Sequence, residues 1–98
     1  MGELLSQEEV DRALAGELPQ WRQEGDSITR SVTARSFMEG IRLVQQVAEV
    51  AEDLNHHPDI DIRWTTVTFT LSTHSAGGLT AKDLRLASDI DKLAGHHS

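Results

Sequence analysis

The chain has 98 residues, 38% of them hydrophobic, which suits one globular domain over residues 1–98 and leaves no room for a second core. Sixteen acidic residues against nine basic ones give a net charge of −7, a poor match for direct binding to nucleic acid or to an anionic membrane surface. Cysteine is absent, which excludes disulfides, thiolate metal sites and cysteine nucleophiles.

In chain order, the opening residues lack the basic start and apolar run of a secretion signal. No later apolar stretch approaches the ~18–20 residues needed to span a bilayer, so the expected location is the cytoplasm. Ser6 and Glu9 have capping-box spacing, and Val10 and Leu14 recur at helical distance before Gly16 ends the first helix. Two short strands follow, Trp21 to Glu24 and Ile28 to Ala34, with Gly25-Asp26 as the hairpin turn between them. Ser36 and Glu39 open the longest helix, in which Phe37, Ile41, Val44, Ala48, Ala51 and Leu54 draw one apolar stripe.

After Pro58 the period changes to two. Ile60, Ile62 and Trp64 alternate with Asp59, Asp61 and Arg63; Val67, Phe69 and Leu71 then alternate with Thr66, Thr68, Thr70 and Ser72. These runs read as a second hairpin, or as one long strand kinked near Thr65, and the hairpin is favoured. Thr80 and Asp83 open the third helix, whose inward face carries Leu86, Ala87, Ile90, Leu93 and Ala94. The segment Gly95-His96-His97-Ser98 is short and polar; it is expected to fray and is given no chemistry. Each strand has one apolar face, so three helices should cover one face of a four-stranded antiparallel sheet, in the α+β order α-β-β-α-β-β-α. The Thr- and Ser-rich opposite face reads as a solvated surface, or as a contact between copies of the chain.

The stretch from Glu52 to Asp59 carries the chemistry. Pro58 disfavours helical geometry at His57, so His57 should be extended while His56 sits at the helix end. Two adjacent imidazoles then point in different directions and can touch different parts of one ligand. The negative end of the helix dipole, with Glu52 and Asp59 nearby, favours imidazolium and places these rings where a histidine both donates and accepts protons. His74 follows the last strand, and in the proposed hairpin that strand end returns toward His56 and His57. The Gly77-Gly78 loop beside it lets backbone approach a ligand closely.

Glu52, then His56-His57-Pro58, Trp64, His74 and Asp83, at these spacings, resemble the signature of the pterin-4a-carbinolamine dehydratases. Gly78-Leu79-Thr80-Ala81-Lys82-Asp83 and Leu86-Ala87 also look like that family, and the resemblance covers nearly the whole chain. Trp21 resembles the family's tryptophan near the first strand more loosely. The resemblance implies a lyase that dehydrates a 4a-hydroxytetrahydropterin to the quinonoid dihydropterin, a step in tetrahydropterin recycling. It implies a small-molecule pterin as partner and neither metal nor redox cofactor. His56 and His74 are then the acid–base pair, and His57 completes the catalytic set mainly by binding and orienting the pterin.

Glu52, Asp83 and Trp21 join His57 as substrate-binding candidates, each with a plainer alternative: a solvated helix residue, a helix cap and a core side chain. Trp64, in phase with Ile60 and Ile62, reads as structural. A homodimer or homotetramer is expected, because oligomerisation adds to the modest stability of a small domain. Two rival readings use the same residues: a zinc site built from the three histidines, and a non-enzymatic dimerisation or assembly module, a role some relatives have.

Overall fold

Each helix starts at the hydroxyl that the sequence marks for it. In the computed structural model, which describes residues 3–98, Ser6 caps α1 (Gln7–Ala15), Ser36 caps α2 (Phe37–Leu54) and Thr80 caps α3 (Ala81–Ala94). The Ser6–Glu9 and Thr80–Asp83 pairs close reciprocal capping boxes, which satisfy backbone donors that a helix start otherwise leaves orphaned. Ser36 accepts from the Glu39 N–H at 3.1 Å, but the Glu39 carboxylate turns to Arg35, Arg42 and His97 instead of closing a box.

The strands are β1 (Arg22–Glu24), β2 (Ser27–Thr33), β3 (Asp59–Arg63) and β4 (Thr66–Leu71). They form one antiparallel sheet in the order β1-β2-β4-β3, and the α-β-β-α-β-β-α order is as the sequence predicts. The register puts Ile28 opposite Leu71 and Val32 opposite Val67, on the face that joins the helices in the core. The hydroxyls of Ser31 and Thr68 meet at 2.7 Å on the other face. Among the described residues no helix is long and apolar enough to cross a membrane.

Three expectations need correction. The stripe buried on α2 is Gly40, Leu43, Val47 and Ala51, while Phe37 is 48% exposed and Ala48 lies outside. Gly40 is the reason. A Cβ there would stand 3.3 Å from Cγ2 of Val67, so α2 comes nearest to the sheet where it has no side chain. That choice of contact line rotates the helix away from the longer apolar stripe. Trp64 does not continue β3 either. It sits in the turn before β4 with a left-handed backbone (φ 54°) and is 83% exposed; reversing the chain in so few residues outranks the period-two pattern.

The segment after α3 is docked, not frayed. His97 is buried; its Nδ1 bonds the Glu39 carboxylate at 2.7 Å and its Nε2 meets Oε1 of Gln46 at 2.8 Å. Arg35 donates its backbone N–H to the His97 carbonyl (2.9 Å) and its guanidinium to the His96 carbonyl (3.0 Å). The His97 contact holds the Glu39 carboxyl well below the usual carboxylate range, at about 2, with Arg42 and Arg35 adding to it. These long-range partners come from α2 or the residue before its cap, so the tail's own sequence does not announce them.

Candidate active site

The end of α2 decides where the two adjacent histidines go. Asn55 adopts a left-handed backbone (φ 51°, ψ 45°), and its N–H bonds back into the last turn. The His56 N–H then reaches the Ala51 carbonyl at 3.0 Å. Asparagine tolerates this conformation because its short amide lowers the steric cost. The reversal turns the His56 ring inward, where the residue is 8% exposed, and leaves His57 outside.

Nε2 of His56 lies 2.6 Å from Oδ1 of Asp83, a residue with no exposed surface. The other carboxylate oxygen accepts the Thr73 hydroxyl at 2.7 Å and the Thr80 backbone N–H at 2.9 Å. Asp83 therefore closes the α3 cap, the plainer role the sequence offers it, with one oxygen and holds His56 with the other. Because a carboxylate only accepts, Nε2 of His56 carries a proton, and in the neutral form of the ring Nδ1 is then the acceptor. Among the described residues, the one side-chain nitrogen or oxygen sealed from solvent without a partner is Nε of Arg30. Nδ1 of His56 has no hydrogen-bond partner among the described residues, in a residue that is 8% exposed.

His57 is tethered more loosely. Its Nε2 lies 2.5 Å from Oε2 of Glu52, with both side chains more than half exposed. His74 is exposed and begins the short 3-10 turn His74–Ala76 directly after Thr73. The β3–β4 register sets Asp59 opposite Thr70, so the segment before β3, with His56 and His57, lies at the sheet end that β4 leaves toward Thr73 and His74. Three stretches meet here: the end of α2, the exit of β4 and the start of α3. Among the described residues no three His, Asp or Glu side chains are grouped to hold a metal ion.

Trp21 is not part of this group. Its ring is 4% exposed and its indole N–H donates to Oδ1 of Asp91 at 2.8 Å. Asp91 lies on α3 about 12 Å along the axis from Asp83. A buried indole bound at the far end of the helix is a core residue, so the expected stacking platform is absent from the site. Conversely, Thr73 belongs to the site without carrying any motif. Its signal is the period of two: Thr73 is in phase with Val67, Phe69 and Leu71, so its hydroxyl points inward and needs a buried partner.

The family model described as pterin 4 alpha carbinolamine dehydratase matches residues 3–93. A relative from Nocardia farcinica, provisionally named a pterin-4-alpha-carbinolamine dehydratase, is 62% identical over 92 residues, covering 94% of this chain and 96% of that protein. Among solved structures, a transcriptional coactivator/pterin dehydratase from Brucella melitensis superposes with a TM-score of 0.91 at 33% identity, over 95% of this chain and 100% of that one. A pterin dehydratase-like RuBisCO assembly factor of the alpha-carboxysome shares the fold alone, with a TM-score of 0.63 and 21% identity over 76% of this chain and 87% of that one. With its helices, sheet order and nearly all of its length accounted for in this way, the chain belongs to the pterin 4 alpha carbinolamine dehydratase family.

Proposed function

We propose that the protein dehydrates a 4a-hydroxytetrahydropterin to the quinonoid dihydropterin by histidine acid–base catalysis, as a homo-oligomer in the cytoplasm. Family membership supports the substrate class, and the observation that carries the chemistry is His56, bound to a buried carboxylate through Nε2 while Nδ1 has no partner among the described residues. In the reaction a ring N–H gives up its proton, the freed pair forms a C=N bond, and the C4a–O bond breaks as the departing hydroxide is protonated. One group must accept a proton and another must donate one. His56 and His74 take these two roles, and His57 with Glu52 binds and orients the ring system. A positioned acid or base typically contributes ~10²–10⁴-fold.

The test is a stopped-flow assay of 4a-hydroxytetrahydropterin dehydration by the purified protein and by a His56→Ala/His74→Ala variant. The expected outcome is rapid turnover lost by at least ~10²-fold in the folded double variant. Turnover that survives the loss of both imidazoles overturns the acid–base assignment. A wild-type protein with no turnover favours the non-enzymatic module, which needs neither ring.

A further inference from the structure

We infer that Thr73 is a positioning residue that fixes the tautomer of His56 and ties the His74 turn to it. The role in turnover rests on the dehydratase reading; the role in fixing the ring does not. The hydroxyl of Thr73 has one proton, and it goes to Oδ2 of Asp83 at 2.7 Å. The Thr80 hydroxyl, 2.8 Å away, must then donate to Thr73, and it in turn accepts the Lys82 N–H at 3.3 Å. The donors thus run in one direction, Lys82 to Thr80 to Thr73 to Asp83. Thr73, Thr80 and Asp83 are 6%, 0% and 0% exposed, so water cannot readily replace a missing member, and each unpaired buried group is costly. Rotating the carboxylate would break the bonds to Thr73, Thr80 and His56 together, so Oδ1 stays aimed at Nε2 of His56.

The backbone of Thr73 does the second part. Its carbonyl accepts from the N–H groups of Ala76, Gly77 and Gly78 at 3.0, 3.0 and 3.3 Å, and its N–H donates to the Gly78 carbonyl at 2.9 Å. These bonds close the turn that begins with His74. One residue therefore holds the His74 turn with its main chain and the carboxylate partner of His56 with its side chain. A partner that sets which ring nitrogen carries the proton sets which one is left to do acid–base work.

The experiment compares Thr73→Val, nearly isosteric but without a donor, with Thr73→Ser, which keeps the hydroxyl, and Thr73→Cys, which keeps the volume with a weak donor. The first readout is the histidine side-chain ¹⁵N spectrum of substrate-free protein, with His56 assigned through its alanine variant. Wild type and Thr73→Ser are expected to show protonated Nε2 and unprotonated Nδ1, and Thr73→Val a mixture of tautomers. The second readout is turnover of 4a-hydroxytetrahydropterin. Thr73→Val should lower kcat by about 10- to 100-fold with KM nearly unchanged, Thr73→Ser should restore it, and Thr73→Cys should fall between. If Thr73→Val does not fold, the Ser and Cys variants carry the comparison. A folded Val variant, or failing that a Cys variant, with a wild-type His56 spectrum overturns the inference. A changed spectrum in a protein with no turnover at all leaves the positioning role standing and removes the dehydratase reading instead.

Discussion

Two buried histidines stand near opposite ends of α3, a helix about 20 Å long, and each is bound to a carboxylate. His97, past its end, has both ring nitrogens occupied, by Glu39 and Gln46. His56, against its start, has one nitrogen on Asp83 and the other without a partner among the described residues. Burial and a nearby carboxylate are thus common to both; the unoccupied nitrogen is what separates them. A ring held on both sides locks the segment after α3 to α2, and it cannot transfer a proton without breaking that lock. A ring held on one side is aimed and still free to react. Glu52 and His57 form a third pair, exposed at both partners, where neither locking nor aiming is strong.

The largest expected effect is at the reactive end. Asp83→Ala leaves His56, Thr73 and the Thr80 N–H without their common acceptor, so stability should fall by about 3–5 kcal/mol and turnover by ~10²–10⁴-fold. Urea unfolding and stopped-flow kinetics measure the two losses. Near-normal turnover in folded protein would erase the contrast between the two histidines. At the locked end, His97→Ala should cost about 1–3 kcal/mol in urea unfolding while kcat stays within about twofold of wild type. A loss of kcat as large as that of His56→Ala would show the two ends to be coupled.

The Glu39 carboxyl sharpens the comparison through pH. Its value in the folded protein, about 2, lies below the ordinary 4.5, so the unfolded chain takes up the proton first as pH falls. The stability from this contact is therefore complete above 4.5 and is lost progressively as pH drops toward about 2. His97→Ala removes the largest cause of that shift, so its urea midpoint should fall less steeply than that of wild type over this window. Parallel slopes would show that His97 does not hold the carboxyl down. The smallest effect belongs to the exposed pair: Glu52→Gln should change stability by only a few tenths of a kcal/mol, and any kinetic change should appear in KM, the mark of a group that orients the ligand.

Much of this arrangement is legible along the chain. Ser6–Glu9 and Thr80–Asp83 announce helix starts because capping is a contact between residues three apart. Gly25-Asp26 announces a hairpin because a tight turn needs a residue at ease with positive φ, here 58° at Gly25. His56, His57, His74 and Asp83 stand out by spacing, and the inward face of α3 follows from its period. The failures have a common origin. For Trp64, the α2 stripe and the segment after α3, the neighbours in sequence point one way, yet each is settled by a partner far along the chain or by the geometry of a reversal.

The elements, their order and the family signature are written along the chain, because capping, turns and periodicity act over a few residues. Which ring nitrogen of His56 is occupied, which apolar stripe of α2 is buried, and whether a polar segment is loose or locked emerge only when the folded elements meet. Those outcomes depend on groups such as Asp83, 27 residues from His56, and Glu39, 58 residues from His97. Hydrogen bonds and close packing act over a few ångströms in space, and separation along the chain does not enter into them.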